Sequence, residues 1–332
     1  MKAIRTHEVG GPETLTLDEI EVPTPGKGEV LVAVKACAIN YPDTLMIRDL
    51  YQFKPERPYS PGGELAGVVE AVGEEVENFK VGERVMAGMG NGGLREKALV
   101  PANRMFPIPD GVPFEKAASL LMTYGTTIHG LKDRGHINEG DTVLILGAAG
   151  GVGLSAVELA KAFGAKVVAA VSSEAKGKVA KNAGADEVVI YPRDEMDKAA
   201  SKELANAFKA ACGPNGADIV YDIVGGQYSE PALRSIAWEG RFLVVGFPAG
   251  IAKMPLNLTL LKSCDICGVF WGAFTAREPV KFMEQVNELF ALMQAGKIDP
   301  LVSETFPLGR AGDAIAKLEN REAVGKLVVT MD

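Results

Sequence analysis

Residues 147 to 153 read Gly147-Ala148-Ala149-Gly150-Gly151-Val152-Gly153. This glycine cluster directly follows an apolar run, 142–146, and opens a stretch of helical period, 152–163. Glycines at such a junction let the backbone approach a pyrophosphate closely. The amides of the helix N-terminus then meet its charge. With a second apolar run at 166–171, the pieces form one βαβ unit. Gly150, Gly151, Val152 and Gly153 are therefore expected to carry the phosphates of a dinucleotide, with a bare structural turn as the bland alternative.

The end of the second run selects the dinucleotide. An NAD site carries Asp or Glu there to hold the ribose hydroxyls. Here the run closes on Ala170-Val171-Ser172-Ser173, with Lys176 three residues on and Tyr191 ending the next strand-like run. Hydroxyls and an ammonium suit a 2′-phosphate, so Ser173, Lys176 and Tyr191 are expected at that phosphate and the cofactor is expected to be NADPH. Glu174 dissents, but an acid that opens a helix is favoured by the dipole in any case.

Other chemistries find no pattern. The histidines, His7, His129 and His136, lack metal-pair spacing, and no HExxH is present. His129 reads as a packed or helix-surface histidine rather than a proton donor. Cys264-Asp265-Ile266-Cys267 matches CxxC, yet it precedes an apolar strand instead of starting a helix, so it reads as structural. Four cysteines in 332 residues make no disulfide scaffold and suit a reducing compartment.

The elements that must position these residues fall into two textures. The first hundred residues hold short strand-like runs (15–22, 29–36, 65–72) separated by Gly/Pro turns, as in a barrel-like β domain. From about residue 120, strand and helix alternate: helices at 174–183, 195–211 and 279–295, strands at 187–190, 218–221, 241–245, 266–270 and 326–330. Alternation of this kind builds a doubly wound parallel sheet. The expected division is a β-rich domain of residues 1–120 with 272–332, and a Rossmann domain of 121–271. The apolar run 266–270 is expected at the sheet edge, where pairing across a two-fold axis would satisfy its backbone and make a homodimer.

Composition excludes several classes. Lys plus Arg number 35 against 43 Asp plus Glu, a formal charge of −8, which opposes nucleic-acid and anionic-membrane partners. No charge-free stretch reaches the ~20 apolar residues of a membrane span. The N-terminus, Met1-Lys2-Ala3-Ile4-Arg5, shows no export signal. A cytoplasmic location is expected.

The chain resembles the medium-chain dehydrogenase/reductase superfamily, and within it the zeta-crystallin-like quinone oxidoreductases. Asn40-Tyr41-Pro42-Asp43-Thr44, Pro61-Gly62-Gly63-Glu64-Leu65-Ala66-Gly67, Gly82-Glu83-Arg84-Val85, Ala148 to Gly153, Asp222-Ile223-Val224-Gly225-Gly226 and Gly325-Lys326-Leu327-Val328-Val329 carry the likeness in order. The resemblance implies an α/β fold, a Rossmann sheet plus a GroES-like β domain. It implies that Asn40 and Tyr51 line the acceptor side of the nicotinamide. It also implies that Thr126, Val224, Gly246, Phe247, Phe270 and Lys326 lie along the cofactor. Asn40 and Gly63 stand where zinc-dependent members of the superfamily have ligands, and no Cys lies between Cys37 and Cys212 to form a structural zinc lobe. The expected activity is zinc-free hydride transfer from NADPH to a quinone or an α,β-unsaturated carbonyl. An enoyl-thioester reductase is the alternative enzyme. A non-catalytic NADPH-binding structural or RNA-binding role is the alternative outside catalysis.

Overall fold

The apolar runs Thr142–Leu146 and Lys166–Val171 sit in the middle of a six-stranded parallel sheet, where both faces are covered and alternation with polar residues is unnecessary. The structure is a computed structural model that describes residues 1–331. The sheet runs Glu187–Ile190, Lys166–Val171, Thr142–Leu146, Ala217–Asp222, Ile236–Val244, Asp265–Gly268, with every neighbouring pair parallel. Numbered from the first strand of the unit, that order is 3-2-1-4-5-6, the doubly wound order with its switch point beside Thr142–Leu146. Asp265–Gly268 is the edge, as the sequence suggests, though the strand stops two residues sooner than the apolar run.

This sheet belongs to one of two units into which the chain divides, Thr123–Asp299. The other unit takes Met1–Met122 and the chain from Pro300 onward. Its main sheet is largely antiparallel, in the order Val302–Pro307, Lys326–Thr330, Glu29–Ala38, Glu64–Val72, Arg84–Gly88, Met105–Pro107, with Lys97–Pro101 also on Glu29–Ala38. Val30, Val32, Leu65, Val85, Leu94, Val100, Leu327 and Val329 form its core. Lys2–Arg5 and Thr16–Glu19 make a separate hairpin-like pair.

The division differs from the expected one at residues 121–122, which join the β-rich unit, and at residues 272–299. Residues 272–299 lie in the nucleotide-sheet unit, not in the β-rich one. Helix Pro279–Gln294 is fastened there by Lys281 and Gln285 on Asp133, at 2.7 and 2.8 Å, and by Glu288 on Lys132. These partners lie about 150 residues upstream in the chain, beyond the reach of local pattern. Among the described residues no helix is long and apolar enough to cross a membrane.

Candidate functional site: a nucleotide loop and a buried charge network

The glycine cluster folds as its spacing predicts. After Leu146 the chain turns through Gly147, whose φ of +71° lies in the left-handed region. Helix Gly151–Ala162 then begins, with Gly150 as its N-cap and no side chain capping it. The first amides of a helix have no partner within it, so Gly151, Val152 and Gly153 offer N–H groups at the carboxyl edge of the sheet. A β-carbon on Gly153 would lie 2.2 Å from the Gly147 oxygen and 2.7 Å from the Ala148 Cα, so glycine there lets the helix close onto the strand. A β-carbon on Gly150 would meet only the Gly147 oxygen, at 3.6 Å, which leaves free approach from outside. This donor set and clearance fit a pyrophosphate.

At the end of the second strand Ser173 is the N-cap of helix Glu174–Asn182, its hydroxyl accepting the Lys176 amide at 3.3 Å. Ser172 precedes it and Lys176 is half-buried, with Glu174 exposed. Tyr191, expected beside the same phosphate, is 7% exposed, its ring 4.6 Å from Tyr228.

Val224, Gly246, Phe247 and Phe270 stand just beyond the carboxyl ends of three successive strands, on the same sheet edge as the glycine loop. Asp222 fixes the first of these turns. Its carboxylate accepts from the Val224 amide (2.9 Å), the Gly225 amide (2.8 Å) and the Ser229 hydroxyl (2.5 Å), while burial pushes its pKa up. The Gly246 amide reaches the Asp222 carbonyl at 3.3 Å. Phe247 and Phe270 are 46% and 57% exposed, so neither is a core aromatic. Thr126 is half-buried on helix Leu121–Ile128.

The other unit holds a network that the sequence reading did not foresee. Lys326, expected along the cofactor, is 4% exposed, and its ammonium meets the Ile39 carbonyl (3.1 Å), Asn40 Oδ1 (2.6 Å) and Glu64 Oε1 (3.1 Å). Three protons find three acceptors. The Asn40 amide donates to Glu64 Oε1 at 2.9 Å and to the Ala38 carbonyl at 3.3 Å. Glu64 Oε2 takes the Met122 amide at 2.9 Å. Asn40, expected to donate to an acceptor, thus has its side chain fully engaged and acts as a bridge between two buried charges.

Asp43 completes the cluster. It accepts the Asn40 amide (2.8 Å) and the Gly62 amide (3.0 Å). Burial, offset by these bonds and by the Lys326 charge, pushes its pKa from 3.8 to about 6. Asn40-x-x-Asp43 is half of a helix capping box, which is the signal that could have found it. Tyr51 is half-buried, and burial followed by the Asp43 charge raises its phenol pKa. Tyr41 is half-buried as well.

His129 lies in a π turn, His129–Arg134, with Nδ1 2.7 Å from Asp133 and its ring stacked 4.0 Å from Phe274. Cys264 and Cys267 are buried and free. Among the described residues no three of His, Cys, Asp and Glu gather as a metal-ligand set.

A doubly wound nucleotide sheet carried in one chain with an antiparallel GroES-like unit is the architecture of the medium-chain dehydrogenases/reductases. Residues 26–110 match the alcohol dehydrogenase GroES-like domain, and residues 151–289 the zinc-binding dehydrogenase family. The chain is 35% identical over 332 residues to a quinone oxidoreductase-like protein 2 homolog of Nematostella vectensis, covering 99% of this chain and 88% of that one. An Escherichia coli quinone oxidoreductase solved in complex with NADPH is 30% identical, with a TM-score of 0.90 over 99% of this chain and all of that one. A mycobacterial protein, also complexed with NADPH, is 33% identical with a TM-score of 0.91 over 99% of this chain and 100% of that one. The chain belongs to the quinone oxidoreductase family of the medium-chain dehydrogenase/reductase superfamily.

Proposed function

We propose that the protein is an NADPH-dependent reductase that delivers hydride to a quinone or an α,β-unsaturated carbonyl and needs no zinc. The observation that carries this reading is the open glycine loop followed by a second strand that ends in Ser172-Ser173 with no acid at its tip. Relatives solved with NADPH support it. When bound, NADPH supplies the hydride. The chain supplies amides for the pyrophosphate at Gly151 to Gly153, and Ser173 and Lys176 for the 2′-phosphate. NADPH should accordingly bind at least about ten-fold more tightly than NADH, about 1.4 kcal/mol. Equal dissociation constants by fluorescence titration would reverse the assignment and point to Glu174 as a ribose ligand.

On the acceptor side we assign the hydrogen-bond donor to Tyr51, whose phenol stays protonated, and a positioning role to Asn40. The positive charge beside Asn40 is Lys326's own ammonium, which supports chemistry without a metal at that place. Removing a well-aimed donor to a developing oxyanion costs about 10²-fold. Tyr51→Phe should lower kcat on an enone by that order and on a more electrophilic quinone by less, while the NADPH dissociation constant stays put. Chelator-treated enzyme should keep its turnover. An NADPH-oxidation screen across quinones, enones and enoyl-CoAs tests the acceptor, and full activity of Tyr51→Phe on every one would remove Tyr51 from the site.

We also propose a homodimer through the sheet edge Asp265–Gly268, where Ile266 is 39% exposed. Light scattering should give about twice the 35.1 kDa chain mass. A value at the chain mass that does not change with concentration would rule this out.

A further inference from the structure

Five arginines of the β-rich unit are half-buried: Arg5, Arg48, Arg57, Arg84 and Arg95. Four have acceptors for their guanidinium. Arg5 reaches the Pro58 carbonyl at 2.9 Å and Asp18 at 3.6 Å, and Arg48 grips Glu319 with two bonds of 2.7 and 3.0 Å. Arg57 meets Asp49 at 2.8 Å and the Ile47 carbonyl at 3.0 Å, while Arg84 donates to the Val112 carbonyl. Arg95 is the exception. Its Nε is buried with no partner, and among the described residues neither a carboxylate nor a carbonyl meets its guanidinium. Burial, followed by the like charge of Arg5, pulls its pKa down.

A charge partly withdrawn from water with no counter-ion is less well satisfied than a paired one. The Arg95 guanidinium lies against Gly92, where a β-carbon would be 3.1 Å from Nη2 and 3.4 Å from the Met89 methyl. The Gly92 amide donates to the Ser60 carbonyl at 2.7 Å, and Ser60, 1% exposed, holds its own hydroxyl buried without a partner. Two unsatisfied donors therefore flank one loop. That loop is laced to the chain leading into the charge network. The Met89 amide reaches the Gly63 carbonyl at 2.7 Å, and the Gly93 amide reaches that of Gly62 at 2.9 Å. The next residue, Glu64, holds Asn40.

We propose that Arg95 is a specificity residue that receives an anionic group of the acceptor, so that the substrate is a quinone or enone bearing a carboxylate or phosphate. This rests on the reductase reading above for the acceptor, but not for the anion site itself. A planar guanidinium matches either oxyanion with two parallel hydrogen bonds. On a chain of charge −8 an anionic substrate is repelled at long range. A preference for it must come from a local cation.

Two measurements test this. In the first, the ligand-free protein is titrated with inorganic phosphate at constant ionic strength, with chloride as reference, and melting is followed. Wild type should gain Tm with phosphate, and Arg95→Met should gain clearly less, keeping only the response of the nucleotide loop. Arg95→Met should also melt no lower than wild type without phosphate, because an unpaired charge has gone. No phosphate response in wild type, or an equal one in Arg95→Met, overturns the anion site.

In the second, kcat/KM is compared for a naphthoquinone and the same naphthoquinone carrying a carboxylate. The ratio of charged to neutral should be at least about ten in wild type, intermediate in Arg95→Lys, and about one in Arg95→Met. An unchanged ratio with an intact phosphate response means that Arg95 takes a free anion, which overturns the substrate assignment. If neither quinone turns over while the phosphate response depends on Arg95, the acceptor reading fails and the anion site stands.

Discussion

Lys326→Met should destabilise the protein by about 3–5 kcal/mol, because it removes the cation from a pair whose partner, Glu64, is 1% exposed. Asn40 Oδ1 loses its donor at the same time, and Asp43 loses the positive charge that holds its pKa down. The double variant Glu64→Gln/Lys326→Met should recover most of the loss, since residue 64 then carries no charge that needs the missing cation and only Asp43 is left without it. The deficit should also depend on pH. Asp43 titrates near 6 in the folded protein and near 3.8 unfolded, so its contribution is fully present below 3.8 and is lost as pH rises through 6. Without Lys326 the folded value moves further up. The gap in Tm between wild type and Lys326→Met should therefore be wider at pH 7.5 than at pH 5. A Tm equal to wild type at both pH values would show that the network adds nothing to stability.

Gly153→Ala should fail more broadly than Gly150→Ala. The new methyl at 153 runs into backbone at 2.2 and 2.7 Å, which no rotamer change relieves, and overpacking of this kind costs about 1–3 kcal/mol. Displacement of the loop should also weaken NADPH binding by about 100-fold, about 2.7 kcal/mol. At Gly150 there is room for the methyl in the free protein. Its stability should fall by no more than about 1 kcal/mol, the difference between glycine and alanine at an N-cap. NADPH should still bind at least about ten-fold more weakly, because the methyl occupies the approach to the pyrophosphate. Calorimetric Tm and NADPH titration on both variants separate packing from ligand clearance. Undiminished NADPH affinity in Gly150→Ala would mean that the phosphates lie elsewhere.

What could be read from the chain was whatever is written locally. The glycine loop, the strand before it and the helix after it are contiguous, and so are Ser172 and Ser173 at the next strand end. The edge position of Asp265–Gly268 followed from strand–helix alternation alone. The charge network was hidden because its members are far apart: Asn40 meets Glu64 across 24 residues and Lys326 across 286. Glu64 opens an apolar strand, and an acid there reads as the end of the run, not as a buried partner. The helix Pro279–Gln294 was foreseen as a helix but given to the β-rich domain, since its anchors on Asp133 and Lys132 leave no trace in periodicity.

Strand Lys326–Thr330 lies inside the antiparallel sheet, between Val302–Pro307 and Glu29–Ala38, although it comes more than 280 residues after the strand it pairs with. On a ribosome this inverts the order of completion. The nucleotide sheet is contiguous in the chain and closes while its last residues are emerging, whereas the unit begun first waits with Ala36, Cys37 and Ala38, the end of Glu29–Ala38, lacking their partner strand. Throughout that interval Glu64 and Asp43 have no cation. The nascent amino-terminal unit is therefore the aggregation-prone species, and a premature stop near residue 320 would damage the part of the protein made earliest.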